Sequence, residues 1–371
     1  MQSRFIPSPE MNMPLSNFTS FADYIAAMRA HIRAARTDLT GATAEMIIDA
    51  NSPRESVPTG SAVKKGILLI HGLLDSPMML KSLYDHFEKQ GFLVRSLLLP
   101  GHGTRPADLL NVTLESWLET VRYGISTFGD EVDKLYLLGF STGAGIALHH
   151  ALHGLRCDGL ILFAPPHRLA NRFAGLSRYL RAFKWISPNA AWLLKADDND
   201  YAKYQSLCYN AIYQVVKLAR LLKAERSTSL KIPLFVVASQ EDEAVDTSAC
   251  LDYFRGQTHP ESQFVLYSRH PQTFADARIQ VTPSHLPDQK ILDFSHVCLT
   301  VAPDHPHYGK QGDYQEFLHY QFALARRLQP PQMEVYQGAF NLGNLRTHYL
   351  QRLTYNPYFR ELLQRLDHFT R

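Results

Sequence analysis

Residues 134–145 read KLYLLGFSTGAG, and the rest of the chain can be read outward from Ser141 at their centre. Leu135, Tyr136, Leu137 and Leu138 form the short apolar run that a strand buried on both faces requires. Gly139-Phe140-Ser141-Thr142-Gly143 follows without a spacer, and AGIALHHALH then reads as a helix. Strand, tight turn and helix in that order is the setting in which G-x-S-x-G presents a serine nucleophile. The cause is steric. The serine occupies a strained backbone position at the turn tip, and glycines two residues to either side keep side chains out of the crossing. Its hydroxyl is pushed clear of the sheet edge, toward a helix N-terminus whose N–H groups favour developing negative charge. Five common residues in a turn with no chemistry are the alternative, and the flanking strand and helix argue against it.

A chain of 371 residues can bury a large core as one domain with insertions or as two domains. Its 45% hydrophobic and 20% charged content is that of a globular protein. A net charge of +3, with no dense Lys/Arg block, implies no nucleic-acid partner. Cys157, Cys208, Cys250 and Cys298 form no C-x-x-C pair, so free thiols are expected and neither a zinc motif nor a redox motif is signalled. The N-terminal stretch is polar and proline-containing where a signal peptide is apolar, and no apolar run is long enough to span a membrane. The expectation is therefore a cytoplasmic protein, with the Asn17 and Asn111 glycosylation patterns arising by chance.

Residues 21–36 place Phe21, Ile25, Met28 and Ile32 on one helical face, which predicts a helix covering an edge of the main domain. Met46-Ile47-Ile48 reads as a short strand. GILLI at 66–70, FLVRSLL at 92–98, GLILF at 159–163, PLFVVA at 233–238 and residues 263–267 are further apolar strands. Helices are expected at 78–90, 113–128, 247–254 and 314–328, with Thr113 as a cap and Glu115 and Glu119 in the early turns. Such alternation argues for a mainly parallel α/β sheet with helices on both faces. It stops between His167 and Lys231, an aromatic-rich helical stretch placed to lie as a lid over Ser141, although most of its aromatics must form its own core. The division expected is an N-terminal helical arm and linker (1–60), a core in two parts (61–166 and 232–330), the lid (167–231) and a C-terminal helical tail (331–371).

At LLIHGLLDSP, LLLPGHGTRPADL with the Trp117 that follows, LLGFSTGAG and PLFVVASQEDEAVD, the chain resembles the α/β-hydrolases. More narrowly it resembles their bacterial carboxylesterase and monoacylglycerol-lipase branch, over about 64–166 and 231–300. That resemblance implies a serine hydrolase cleaving carboxylic esters, with a Ser-Asp-His triad in that chain order and no metal or organic cofactor. It implies Ser141 as nucleophile, with the backbone N–H groups of Leu73 and Thr142 as the oxyanion hole. His71, at the end of its strand, shapes that loop and is out of order for the base. Asp242 follows an apolar strand and precedes Val245 by three residues, as the acid should; Glu241, Asp246 and Asp252 are its rivals.

Two histidines compete for the base. His270 directly follows FVLYSR, 28 residues after Asp242, whereas His296 lies in DFSHVCL, 54 residues after it. The Ser-His segment favours His296, and this choice requires residues 268–292 to be an excursion, which Pro271, Pro283 and Pro287 permit. His285 reads as a surface residue. His149 and His153 share a helix face at i, i+4 but lack a third ligand in sequence, so they read as structural. The expected partner is a small ester or acyl-lipid substrate, with transient lipid-surface contact through the lid. A thioesterase or acyltransferase on the same triad, or a non-catalytic binding protein, are the alternatives.

Overall fold

The computed structural model describes residues 3–9, 18–59, 64–185, 187–196, 200–314 and 334–371. The helix expected at 314–328 lies almost wholly outside them. Eight strands form the main sheet: β1 (Arg54–Ser56), β2 (Lys65–Ile70), β3 (Leu93–Ser96), β4 (Lys134–Phe140), β5 (Gly159–Phe163), β6 (Leu234–Ser239), β7 (Gln263–Ser268) and β8 (Ile279–Pro283). Their order is β1-β3-β2-β4-β5-β6-β7-β8, and all pairs are parallel except β1 with β3. β2, β4, β5 and β6 are buried on both faces except at the first residue of β2 and β4, which is why they read as unbroken apolar runs.

Register aligns the ends of these strands. Ile70 pairs with Gly139, Phe140 with Phe163, and Phe163 with Val237. The loops that begin at His71, Ser141 and Gln240 therefore leave the sheet along one edge.

One face of the sheet is covered by the N-terminal helix Phe21–Ala35 and by helices Leu114–Ser126, Thr142–Leu152, Tyr209–Ala224 and Thr247–Arg255. The other carries helices Lys81–Lys89 and Phe359–Phe369 and the loops after residue 290. Ser20 and Asp23 form a capping box on the N-terminal helix, whose Tyr24 hydroxyl bonds both backbone groups of Leu98. That helix packs onto the main core through Phe21 and Tyr24, as an edge cover should.

Three expectations change. Residues 46–48 lie in a helix, Ala44–Asn51, where Ile47 and Ile48 are buried and Asn51 bonds back to the Ile47 carbonyl. A three-residue apolar run is too short to display its period. The stretch 167–231 is not purely helical, because Trp192–Leu194 and Leu207–Cys208 pair antiparallel. Its long helix, Tyr209–Ala224, is core, burying Ala211, Val215, Leu218 and Leu222. The described tail also holds a parallel pair, Val335–Gly338 with Tyr349–Arg352.

Candidate active site

Ser141 caps the helix Thr142–Leu152 with φ 52° and ψ −116°, a left-handed conformation costly for a residue with a Cβ. The surroundings hold it there. A Cβ on Gly143 would lie 2.2 Å from the Ile70 carbonyl oxygen and 2.6 Å from that of His71. One on Gly139 would lie 2.5 Å from the Ala144 backbone. Both glycines are required by close backbone approach rather than by unusual φ, since neither has a positive value.

His296 Nε2 lies 2.9 Å from Ser141 Oγ, and His296 Nδ1 lies 2.7 Å from Asp242 Oδ2. All three residues are buried. The other Asp242 oxygen accepts from the backbone N–H groups of Ala244, at 2.8 Å, and Val245, at 2.9 Å, which fixes the carboxylate in its loop. Burial disfavours the charged imidazole, but the Asp242 carboxylate and its hydrogen bond, with Glu243 and Asp75 further off, hold His296 above its ordinary value.

His270 is exposed, Ser268 Oγ bonds its backbone N–H and carbonyl, and among the described residues it has no hydrogen bond to Ser141 or Asp242. The excursion at 268–292 contains β8, an added parallel edge strand on β7, and this moves the histidine loop downstream. His285 is exposed, as expected. Among the rival acids, Glu241 accepts from Arg269 N–H and Ser284 Oγ, Asp246 caps helix Thr247–Arg255 and pairs with Arg168, and Asp252 is exposed beside Arg255.

The loop after β2 is braced by two neutral histidines. His71 Nε2 accepts from Leu99 N–H at 3.0 Å while its Nδ1 donates to the Gly72 carbonyl, and His102 Nε2 accepts from Leu74 N–H at 3.1 Å. Burial lowers both, His102 to about 4. Trp117 Nε1 donates to the Pro100 carbonyl at 3.0 Å, so the Pro-Gly-His-Gly segment is a strut for residues 72–74. Gly72 lies against the serine; a Cβ there would be 3.2 Å from Ser141 Cβ. Among the described residues, no group accepts from Leu73 N–H or Thr142 N–H. The stretch 167–231 reaches this loop as well, through Tyr204 N–H to the Leu74 carbonyl at 2.8 Å.

Sequence reading missed three groups. Glu243 Oε2 accepts from the His296 backbone N–H at 3.0 Å, and Arg352 Nε, from the tail, lies 3.4 Å from the other Glu243 oxygen. Asp75 is buried with its carboxylate against Gly72, and burial pushes it up to about 6 while Lys203 and His296 pull the other way. Nothing in the pattern of charges singles these out; they become visible only once the loops meet.

The family described as serine aminopeptidase, S33, matches residues 61–270. The chain belongs to that family. As a member it has the α/β-hydrolase fold, and the match spans Ser141 and Asp242 but ends before His296. A thermostable monoacylglycerol lipase of Bacillus sp. (strain H-257) is 23% identical over 200 residues, covering 54% of this chain and 79% of the relative. A structure from a description of LipS and LipT, two metagenome-derived lipolytic enzymes, superposes with a TM-score of 0.50 at 22% identity, covering 58% of this chain and 86% of that one. A soluble variant of monoglyceride lipase from Saccharomyces cerevisiae gives a TM-score of 0.48 at 17% identity, covering 58% and 82%. At 22% identity the first of these structures speaks to the fold alone. No helix among the described residues of this chain is long and apolar enough to cross a membrane.

Proposed function

We propose that this family member is a serine hydrolase of carboxylic esters, acting on small acyl esters of the monoacylglycerol type through an acyl-enzyme. The observation that carries the reading is the continuous chain from Ser141 Oγ through His296 to Asp242. His296 Nε2 takes the hydroxyl proton as Ser141 attacks the ester carbonyl, and Asp242 stabilises the imidazolium and fixes its tautomer. The N–H groups of Leu73 and Thr142 receive the oxyanion, each worth about 3 kcal/mol of barrier lowering. His296 then protonates the departing alcohol, and water, activated by the same imidazole, hydrolyses the acyl-enzyme.

The name of the Bacillus relative supports an acylglycerol substrate. Phe173, Leu176, Tyr179 and Phe183 are exposed on the insertion, which supports a lid in transient contact with a lipid surface. A p-nitrophenyl ester series, followed by monoacylglycerols below and above their aggregation limit, tests the reading. Turnover lost in Ser141→Ala, and rising with substrate aggregation, is the result expected. A folded wild-type protein that cleaves no ester would leave a binding role in its place.

A further inference from the structure

At the far end of the serine-bearing helix, His149 and His153 meet a third donor that sequence spacing could not show. Glu225, the C-cap of helix Tyr209–Ala224, places its Oε1 3.4 Å from His149 Nδ1 and 3.6 Å from His153 Nε2. One donor atom from each residue lies within 4.8 Å of the other two. Donors 2.0–2.1 Å from a tetrahedral ion stand roughly 3.4 Å apart, so these separations suit ligands of a common centre better than hydrogen bonds.

Proton positions point the same way. His153 Nδ1 lies 2.8 Å from the His149 carbonyl oxygen and donates to it, which leaves Nε2 as the ring nitrogen facing the carboxylate. A proton or a metal ion between that nitrogen and the carboxylate reconciles the pair, and the 3.6 Å separation is long for a hydrogen bond. His149 Nδ1 and Glu225 Oε2 are shut off from solvent, and among the described residues neither has a hydrogen-bond partner. Buried polar atoms left in this way are costly and call for an explanation.

The backbone also favours a cation. His153 caps the C-terminus of helix Thr142–Leu152, and Glu225 caps that of helix Tyr209–Ala224, so the negative ends of two helix dipoles converge on the site. Arg122 opposes a cation, but its effect on His149 is weaker than that of Glu225.

We propose that His149, His153 and Glu225 bind one divalent transition-metal ion of the zinc class. The exposed rim at His153 leaves a fourth position to water, and the ion joins the helix that carries Ser141 to the long helix of the insertion. An N,N,O donor set suits zinc and disfavours magnesium and calcium.

The test is calorimetric titration of chelator-stripped, dialysed protein with Zn²⁺, with Co²⁺ absorption as a second readout. One equivalent bound, visible bands of four-coordinate Co²⁺, and an unfolding midpoint raised by a few degrees are expected. His153→Ala and Glu225→Gln should each weaken binding at least tenfold, whereas Ser141→Ala should bind as wild type does. His153 is exposed, so its variant tests the site without threatening the fold. Absence of saturable Zn²⁺ binding by folded wild type, or binding unchanged in both variants, would overturn the proposal.

Discussion

Ser141 shows how local strain is held by long-range packing. Its left-handed backbone persists because Gly143 lets the helix approach the carbonyl oxygens of Ile70 and His71. Gly143→Ala puts a methyl 2.2 Å from a backbone oxygen that cannot move aside, and soluble expression with loss of all ester turnover below detection is the expected readout. His296 is held above its ordinary value of 6.5 and, as the proposed base, accepts a proton only when neutral, so kcat/KM should fall toward acid with a midpoint above 6.5. In Asp242→Asn the carboxylate no longer favours the imidazolium; that limb should move downward while the plateau drops roughly 10³–10⁴-fold. Asp75 carries the opposite cost. Its folded value is raised, so the folded state loses stability as pH rises through about 6, where the buried acid must ionise. Asp75→Asn should therefore stabilise the protein at pH 8 by about 2–3 kcal/mol, with the gain vanishing as pH falls toward 3.8. Urea titrations at both ends of that range measure it, and a wild type as stable at pH 8 as the variant would count against it.

Elements differ in how much of them the sequence reveals. β2, β4, β5 and β6 are legible because burial on both faces demands continuous apolar runs, and the motif loops follow them directly. β8 is not. In Ile279–Pro283 only Ile279 is buried and the strand ends in proline, so it shows no strand period and its proline reads as a breaker, and His270 and His296 stay in competition until its pairing with β7 is seen. The tail strand Tyr349–Arg352 is equally mute, because its contribution rests on partners far away in sequence. Arg352 lies beside buried Glu243, which in turn holds the His296 N–H. Arg352→Ala leaves that carboxylate buried without its cation, and a loss of about 3 kcal/mol with reduced kcat is expected. Denaturant melts and steady-state kinetics check both parts; an unchanged variant would make the contact incidental.

Across the whole molecule, the tail is packed against the segment that carries His296 rather than being an appendage. Asp293 accepts from Ala339 N–H and Asn344 Nδ2, Ser295 Oγ donates to the Leu353 carbonyl, and Leu292 N–H bonds the Gln337 carbonyl. Phe359, Leu362 and Leu366 complete the core on that face. Each is worth about 2 kcal/mol buried, a sum comparable with much of a domain's net stability. Removing residues 334–371 should accordingly give aggregated protein by size-exclusion chromatography instead of a folded, slow enzyme. Composition could not foretell this, since polar contacts to the histidine loop leave no periodic trace. The chain's organisation brings residues 141, 242 and 296 to one point, and fluorophosphonate labelling tests that most directly. Peptide mapping of labelled wild type, Ser141→Ala, His270→Ala and His296→Ala should find the adduct on Ser141 in wild type and His270→Ala. It should find none in the other two. Labelling that survives in folded His296→Ala but is lost in His270→Ala would contradict the account.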